Sequence, residues 1–200
     1  MTLFGKMFIN AMQLASGLAV HIFPRLYIRP STQFVKKHTR GMMLTVVELG
    51  TDRGYNARSI LDNLNVENIY LVDPYLSKEK IGKHTGFGFV RTGSELAFKE
   101  AQRQVKKHSE KVLFIRKLST EAIDEIPDDI DFLYIDAVHE KEWVEKELEL
   151  YYPKMKKGGV IGGHDAYADF IGVMQAAIEF ANKKGLELQG KDVDWWFVVK

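Results

Sequence analysis

The run Val46-Val47-Glu48-Leu49-Gly50-Thr51-Asp52-Arg53-Gly54, followed by Ile69-Tyr70-Leu71-Val72-Asp73, constrains this chain more than any other stretch. Residues 45–49 are a short, mainly apolar run that reads as a buried strand, and they break into a glycine-bearing turn before a helix over residues 57–64. A second apolar run, residues 69–72, ends in the carboxylate of Asp73. Strand, turn and helix make half of a nucleotide-binding βαβ unit, and the second strand follows them. Gly50 and Gly54 let backbone approach a ligand where a Cβ would collide, and an acid at the C-terminal end of the second strand suits a pair of ribose hydroxyls. By themselves the glycines fit a purely structural turn as well.

The chemistry of the turn separates two ligand classes. A dinucleotide fingerprint, G-x-G-x-x-G, places its second glycine where this chain has Asp52, and a carboxylate beside a pyrophosphate repels it. An acidic turn is better matched to a ligand with a ribose and a cationic ammonium but no phosphate, with Glu48 and Asp52 near its positive end. The pattern E-x-G-x-x-x-G at Glu48, Gly50 and Gly54, with the strand ending in Asp73, resembles motifs one and two of the class I S-adenosylmethionine-dependent methyltransferases. That resemblance implies S-adenosylmethionine as cofactor, bound by Glu48, Gly50, Thr51, Asp52, Gly54 and Asp73.

Length and composition bound the rest. The chain has 200 residues, enough for one domain with a substantial core, and neither internal repeats nor low-complexity segments. It contains no cysteine, which excludes disulfides, cysteine-based zinc sites and a cysteine nucleophile; methyl transfer would be direct, and a cytoplasmic setting is compatible. Net charge is +1, yet the first 47 residues hold six basic and no acidic side chains, leaving 22 basic against 27 acidic in the remainder. A mildly acidic body argues against a nucleic-acid partner.

Residues 7–23 carry no formal charge and spread Phe, Met and Leu around a helical circumference, but polar interruptions make them a poor bilayer span. Residues 1–43 are therefore expected to form an N-terminal helical association segment that packs on the domain or a second subunit. Peripheral membrane contact through Arg25, Arg29, Lys36 and Lys37 is the alternative. Past Asp73, residues 77–93 read as a loop rich in lysine and glycine, expected to be a solvated connection or a mobile lid over the acceptor. Helices follow at residues 94–108, 140–151 and 170–184, and strands at residues 112–115, 131–135 and 160–162, with two last strands at residues 186–189 and 195–199. Alternating strands and helices imply a parallel sheet covered on both faces, and the short final connection implies an antiparallel hairpin. The expected fold is α/β: a Rossmann-like three-layer sandwich over residues 44–200, with a seven-stranded, mostly parallel sheet ending in that hairpin.

Ligands of such sheets bind beyond the carboxyl ends of the strands, which directs attention to the later strand exits. After strand three lies Ser119, whose position resembles an adenine contact in methyltransferases and which equally fits the N-cap of a helix over residues 120–126. Strand four ends in Asp136 with His139 three residues on, and strand five ends in Gly162-Gly163-His164-Asp165. The phrases I-D-x-x-H and G-G-x-I-G-G-H-D look like the small-molecule O-methyltransferases of the macrocin O-methyltransferase and cephalosporin-hydroxylase-like group. That resemblance implies O-methylation of a small hydroxylated acceptor, a saccharide or secondary metabolite, with Asp136, His139 and His164 as catalytic residues and Asp136 also beside the cofactor. It further implies a divalent metal on Asp136, His164 and Asp165, although His164 stands where relatives carry an acid, which disfavours Mg²⁺ and leaves a metal-free histidine base as an alternative. A nicotinamide-dependent oxidoreductase and a non-catalytic S-adenosylmethionine-binding protein are the competing functional classes.

Overall fold

The computed structural model describes residues 28–76, 94–167 and 170–200. Its chain order is α1 (Pro30–Thr39), β1 (Leu44–Leu49), α2 (Tyr55–Asn63), β2 (Val66–Val72), α3 (Ser94–Val105), β3 (Val112–Ile115), β4 (Ile130–Ile135), α4 (Lys141–Tyr151), β5 (Met155–Gly163), α5 (Ile171–Lys184), β6 (Gln189–Lys191) and β7 (Asp194–Val198). The strands form one seven-stranded sheet in the order β3-β2-β1-β4-β5-β7-β6. All pairings from β3 through β5 are parallel; β7 runs antiparallel to β5 and closes a hairpin with β6.

Strand periodicity sorts the apolar side chains into two cores. Val47 and Leu49 of β1, with Leu133, Ile135 and Ile161, meet Val144, Leu148 and Tyr151 of α4 and Val173, Ala177 and Phe180 of α5. Their alternates Val46, Phe132, Tyr134 and Val160 meet Val35 of α1, Ala57, Ile60 and Leu61 of α2, and Val105 of α3. β1 and β4 are thus apolar on both faces because helices cover both, and the three-layer sandwich expected from the sequence is the architecture found. Among the described residues, no helix is long and apolar enough to cross a membrane.

Register then determines which residues share an edge. Leu49 is level with Val72 and Ile135, Ile135 with Gly163, and Gly163 with Trp195. The next residue along each parallel strand, Gly50, Asp73, Asp136 and His164, therefore emerges at the same carboxyl edge, joined there by Asp194 at the start of the antiparallel β7. The switch point of the sheet, where a ligand crevice opens, lies between β1 and β4.

Three expectations need correction. The domain boundary at residue 43 falls inside the packed domain: Val35 is wholly buried, Phe34 packs on Trp196 at 5.5 Å, and Ser31 bonds Asp194, so α1 belongs to the sandwich. Pro30 begins that helix, at a position where its missing N–H has no acceptor to lose. Residues 120–126 form no α-helix, only a 3₁₀ turn at Ile123–Glu125. The first hairpin strand is Gln189–Lys191, three residues later than read, because Leu186 is drawn into the core directly after the left-handed Gly185 cap. The association role of residues 1–27 and the lid reading of residues 77–93 lie outside the described residues.

Candidate functional site

The β1 turn is organised by the protein itself. Gly50 has φ +87°, and a Cβ there would lie 2.2 Å from the Asp136 carbonyl oxygen; Gly54 has φ +74°, with a Cβ 2.9 Å from Ala101 Cα on α3. The immediate reason for both glycines is therefore close approach to the β4 exit and to α3, the structural-turn alternative of the sequence reading. The Gly50 N–H donates to the Val72 carbonyl at 2.8 Å, locking the turn to β2. Asp73 accepts from the Asp52 amide at 2.9 Å through Oδ2 and from the Tyr75 amide at 2.8 Å through Oδ1. Burial lifts its pKa, and those two amides oppose the rise.

Glu48, read as a charge facing a cation, is 1% exposed and accepts from Asn56 Nδ2 at 2.8 Å. Burial pushes its pKa up to about 8, with Asp136 adding to the rise, so at neutral pH the unliganded group is mainly the neutral acid. Glu48 Oε2, Thr51 Oγ1 and Asn56 Oδ1 are buried without a hydrogen-bond partner among the described residues.

The β4 and β5 exits carry the charge. His139 Nε2 lies 2.7 Å from Asp165 Oδ2 and 3.6 Å from Asp136 Oδ1. The closer contact is a tight ion pair that lacks hydrogen-bond alignment. His164 Nδ1 lies 3.0 Å from Asp165 Oδ1 and 3.9 Å from Asp136 Oδ1. Burial by itself pulls the His139 imidazole down, but the two carboxylates outweigh it and lift its pKa to about 10. Burial likewise pushes Asp165 up, and His139 and His164 reverse this, holding it well below the usual carboxylate range. Asp165 adopts φ +62°, a conformation costing an aspartate about 1 kcal/mol that its two histidine contacts offset.

These four residues share one site. Among the described residues, the set whose ligand atoms converge within 4.8 Å is Asp136, His139 and Asp165. His139 thus takes the place given to His164 in the expected metal set: the turn after β4 folds it back over the strand ends, whereas His164 follows β5 directly and lies against Asp165. An imidazole and two carboxylates suit Mn²⁺, Fe²⁺ or Zn²⁺ better than Mg²⁺. The His139 ring also packs on Phe170 at 4.6 Å.

Ser119 is tied inward, and no α-helix follows directly for it to cap. Its hydroxyl donates to Glu147 of α4 and its carbonyl accepts from the Tyr151 hydroxyl at 2.7 Å, so it neither caps a helix nor presents its donor outward. Glu147 is wholly buried, and desolvation lifts its pKa to about 7 against the Ser119 bond and the nearby His139. Sequence reading missed this group because it stands in a charged helical run that reads as a solvated face. It also missed Arg29 and Asp194. Arg29 Nη2 lies 3.5 Å from Asp136 Oδ2, its Nη1 lies 3.6 Å from Asp194 Oδ1, and its guanidinium stacks over Tyr134 at 5.6 Å. No local pattern marks either residue: one stands among scattered basic residues and the other in a hairpin.

A family described as a methyltransferase domain matches residues 47–166. The chain is 30% identical over 132 residues to uncharacterized protein R132 of Acanthamoeba polyphaga mimivirus, a stretch covering 64% of this chain and 53% of that protein. It therefore spans about half the length of the curated relative it matches. Among solved structures, cofactor-bound Rv0187 from MTB superposes with TM-score 0.62 at 15% identity, covering 96% of this chain and 89% of that one. The O-methyltransferase NovP superposes with TM-score 0.60 at 19% identity, covering 85% and 78% respectively. An S-adenosylmethionine-dependent O-methyltransferase from Thermotoga maritima gives 0.59 at 12% identity, covering 86% and 65%. At such identities the structural likenesses concern the fold alone.

Proposed function

We propose that this chain, which belongs to the class I S-adenosylmethionine-dependent methyltransferases, transfers the sulfonium methyl of that cofactor to a hydroxyl oxygen of a small acceptor. The observation that carries the reading is the contact between Gly50 and the Asp136–Ala137 backbone, which sets the cofactor turn directly beside the ionised cluster of the β4 and β5 exits. Methyl donor and acceptor hydroxyl can then meet across the switch point of the sheet.

The cofactor ribose is assigned to Asp73, whose carboxylate oxygens are already oriented by two amides and retain lone pairs for hydroxyl donors. The methionine ammonium is assigned to Glu48 Oε2 with the neighbouring Thr51 Oγ1 and Asn56 Oδ1, buried oxygens without a hydrogen-bond partner among the described residues; a bound cation would draw the Glu48 carboxyl into its ionised form. The acceptor hydroxyl lies by Asp136 and His139. Its oxygen attacks the methyl carbon, the carbon–sulfur bond breaks with the electron pair leaving on sulfur, and the hydroxyl proton passes to the His139 imidazole in its neutral form.

His139, held as an imidazolium by Asp136 and Asp165, cannot accept that proton while it remains charged. A divalent ion would have to displace the imidazolium proton, and Asp136, His139 and Asp165 are the residues that would hold one. When bound, such an ion supplies Lewis-acid stabilisation of the acceptor alkoxide.

Release of S-adenosylhomocysteine across a library of hydroxylated metabolites, assayed with and without Mn²⁺, tests the reading. Turnover of at least one hydroxylated acceptor is expected. Calorimetric titration with S-adenosylhomocysteine and with NAD separates the classes: tight NAD binding with no response to S-adenosylhomocysteine would overturn the proposal.

A further inference from the structure

Asp136 uses its two oxygens toward opposite sides. Oδ1 faces His139 and His164 at 3.6 and 3.9 Å, while Oδ2 faces Arg29 at 3.5 Å. Arg29 comes from the segment immediately ahead of α1, outside the family-matched residues 47–166. Its second anchor, Asp194, also lies outside them, at the start of β7. Asp194 is 1% exposed and is itself fixed by three donors: the Ser31 amide at 3.1 Å, the Ser31 hydroxyl at 2.6 Å and the Tyr134 hydroxyl at 3.2 Å. A buried carboxylate with that many donors is a rigid post. The guanidinium between it and Asp136 is stacked on the Tyr134 ring, leaving it little freedom to follow Asp136 if that carboxylate rotates.

We propose that Arg29, anchored by Asp194, is a positioning residue for Asp136. It holds Oδ2 on its own side and presents Oδ1 alone to the pocket shared with His139, His164 and Asp165. Without it, Asp136 is free to turn fully onto the His139 ring 3.6 Å away, closing the space where an acceptor oxygen or an ion would lie. The inference rests on the reading of Asp136 as part of the transfer site, and it assigns the completion of that site to residues flanking the family segment.

The test uses the full chain. Arg29→Met is expected to lower kcat roughly 10- to 100-fold, the scale of an approximately 1 Å misplacement, while leaving the S-adenosylhomocysteine affinity within about threefold of wild type. Arg29→Lys, which keeps the charge but not the two-pronged reach, should recover only part of the loss. Added guanidinium ion should restore activity to Arg29→Ala, a response that a purely structural defect would not give. Asp194→Asn should lose activity by a similar factor, and the double variant little more, because both act through one contact. Wild-type kcat in Arg29→Met, or joint loss of folding and activity with no guanidinium rescue, would overturn the proposal. A crystal structure of Arg29→Met gives an answer independent of turnover: the Oδ1 to His139 separation should close from 3.6 Å, and an unmoved Asp136 refutes the idea even if no acceptor is ever found.

Discussion

On the β1–β2 side of the carboxyl edge, acids are managed by the main chain and by burial; on the β4–β5–β7 side they are managed by side-chain cations. Asp73 takes an amide on each oxygen, and Glu48 is withdrawn from water as a mainly neutral acid. Asp136, Asp165 and Asp194 lie instead against His139, His164 and Arg29. A region shaped by backbone keeps its form when charges change, whereas a region shaped by ion pairs answers to pH, to a bound ion and to each lost partner. That contrast suits a constant cofactor on one side and an acceptor undergoing chemistry on the other.

The strongest way to break the comparison is at the point where the halves touch. Gly50→Ala places a Cβ 2.2 Å from the Asp136 carbonyl at φ +87°, so strain and clash add. A loss of more than about 4 kcal/mol is expected, read as a fall of roughly 10 °C in Tm or as failure to fold. Near-native stability would mean that the two loops are not pressed together as described.

Next in size is His139→Ala, expected to lower kcat by about two to four orders of magnitude with S-adenosylhomocysteine binding intact. The pH profile sharpens this. His139 has its pKa raised to about 10, so its ion pairs contribute stability fully below the ordinary value near 6.5 and lose it as pH rises through about 10. In chelator-treated protein, any residual kcat should climb with pH toward about 10, because only the neutral imidazole accepts a proton. A divalent ion should displace that rise to lower pH. A profile flat from neutral to alkaline pH, in chelator, would remove His139 from the proton path.

The smallest expected change is in the backbone-organised half. Glu48 has a raised pKa, so in the free protein it opposes folding increasingly as pH passes from about 4.5 to about 8 and by a constant amount above. Glu48→Gln should therefore stabilise the free protein at pH 9, by on the order of 1 kcal/mol or more, while weakening S-adenosylhomocysteine about tenfold. Calorimetry at pH 7 in buffers of different ionisation enthalpy should show proton release on binding to wild type and none to the variant. Equal heats in all buffers for wild type would show that the carboxyl does not ionise against the ligand.

Much of this was readable along the chain because it depends on near neighbours. The β1 run, the Gly50 and Gly54 turn, the Asp73 terminus and the Asp136/His139 and His164/Asp165 phrases are local patterns, and a strand must deliver the residue that follows it to the sheet edge. Element edges were less legible. Leu186 was read as strand and became core, and residues 120–126 were read as helix and made one 3₁₀ turn, because packing outweighs weak local preference at element ends.

The sequence by itself determined the α/β layering, the order of its main elements and the acid- and histidine-bearing strand exits, since all follow from periodicities of a few residues. Only the tertiary structure decided that His139 and not His164 joins the convergent set with Asp136 and Asp165, that burial lifts the Glu48 pKa, and that Arg29 lies between Asp136 and Asp194. Those outcomes depend on burial and on distances between residues separated by as many as 165 positions. Desolvation and Coulomb energy act through space, and no run of neighbouring residues encodes them.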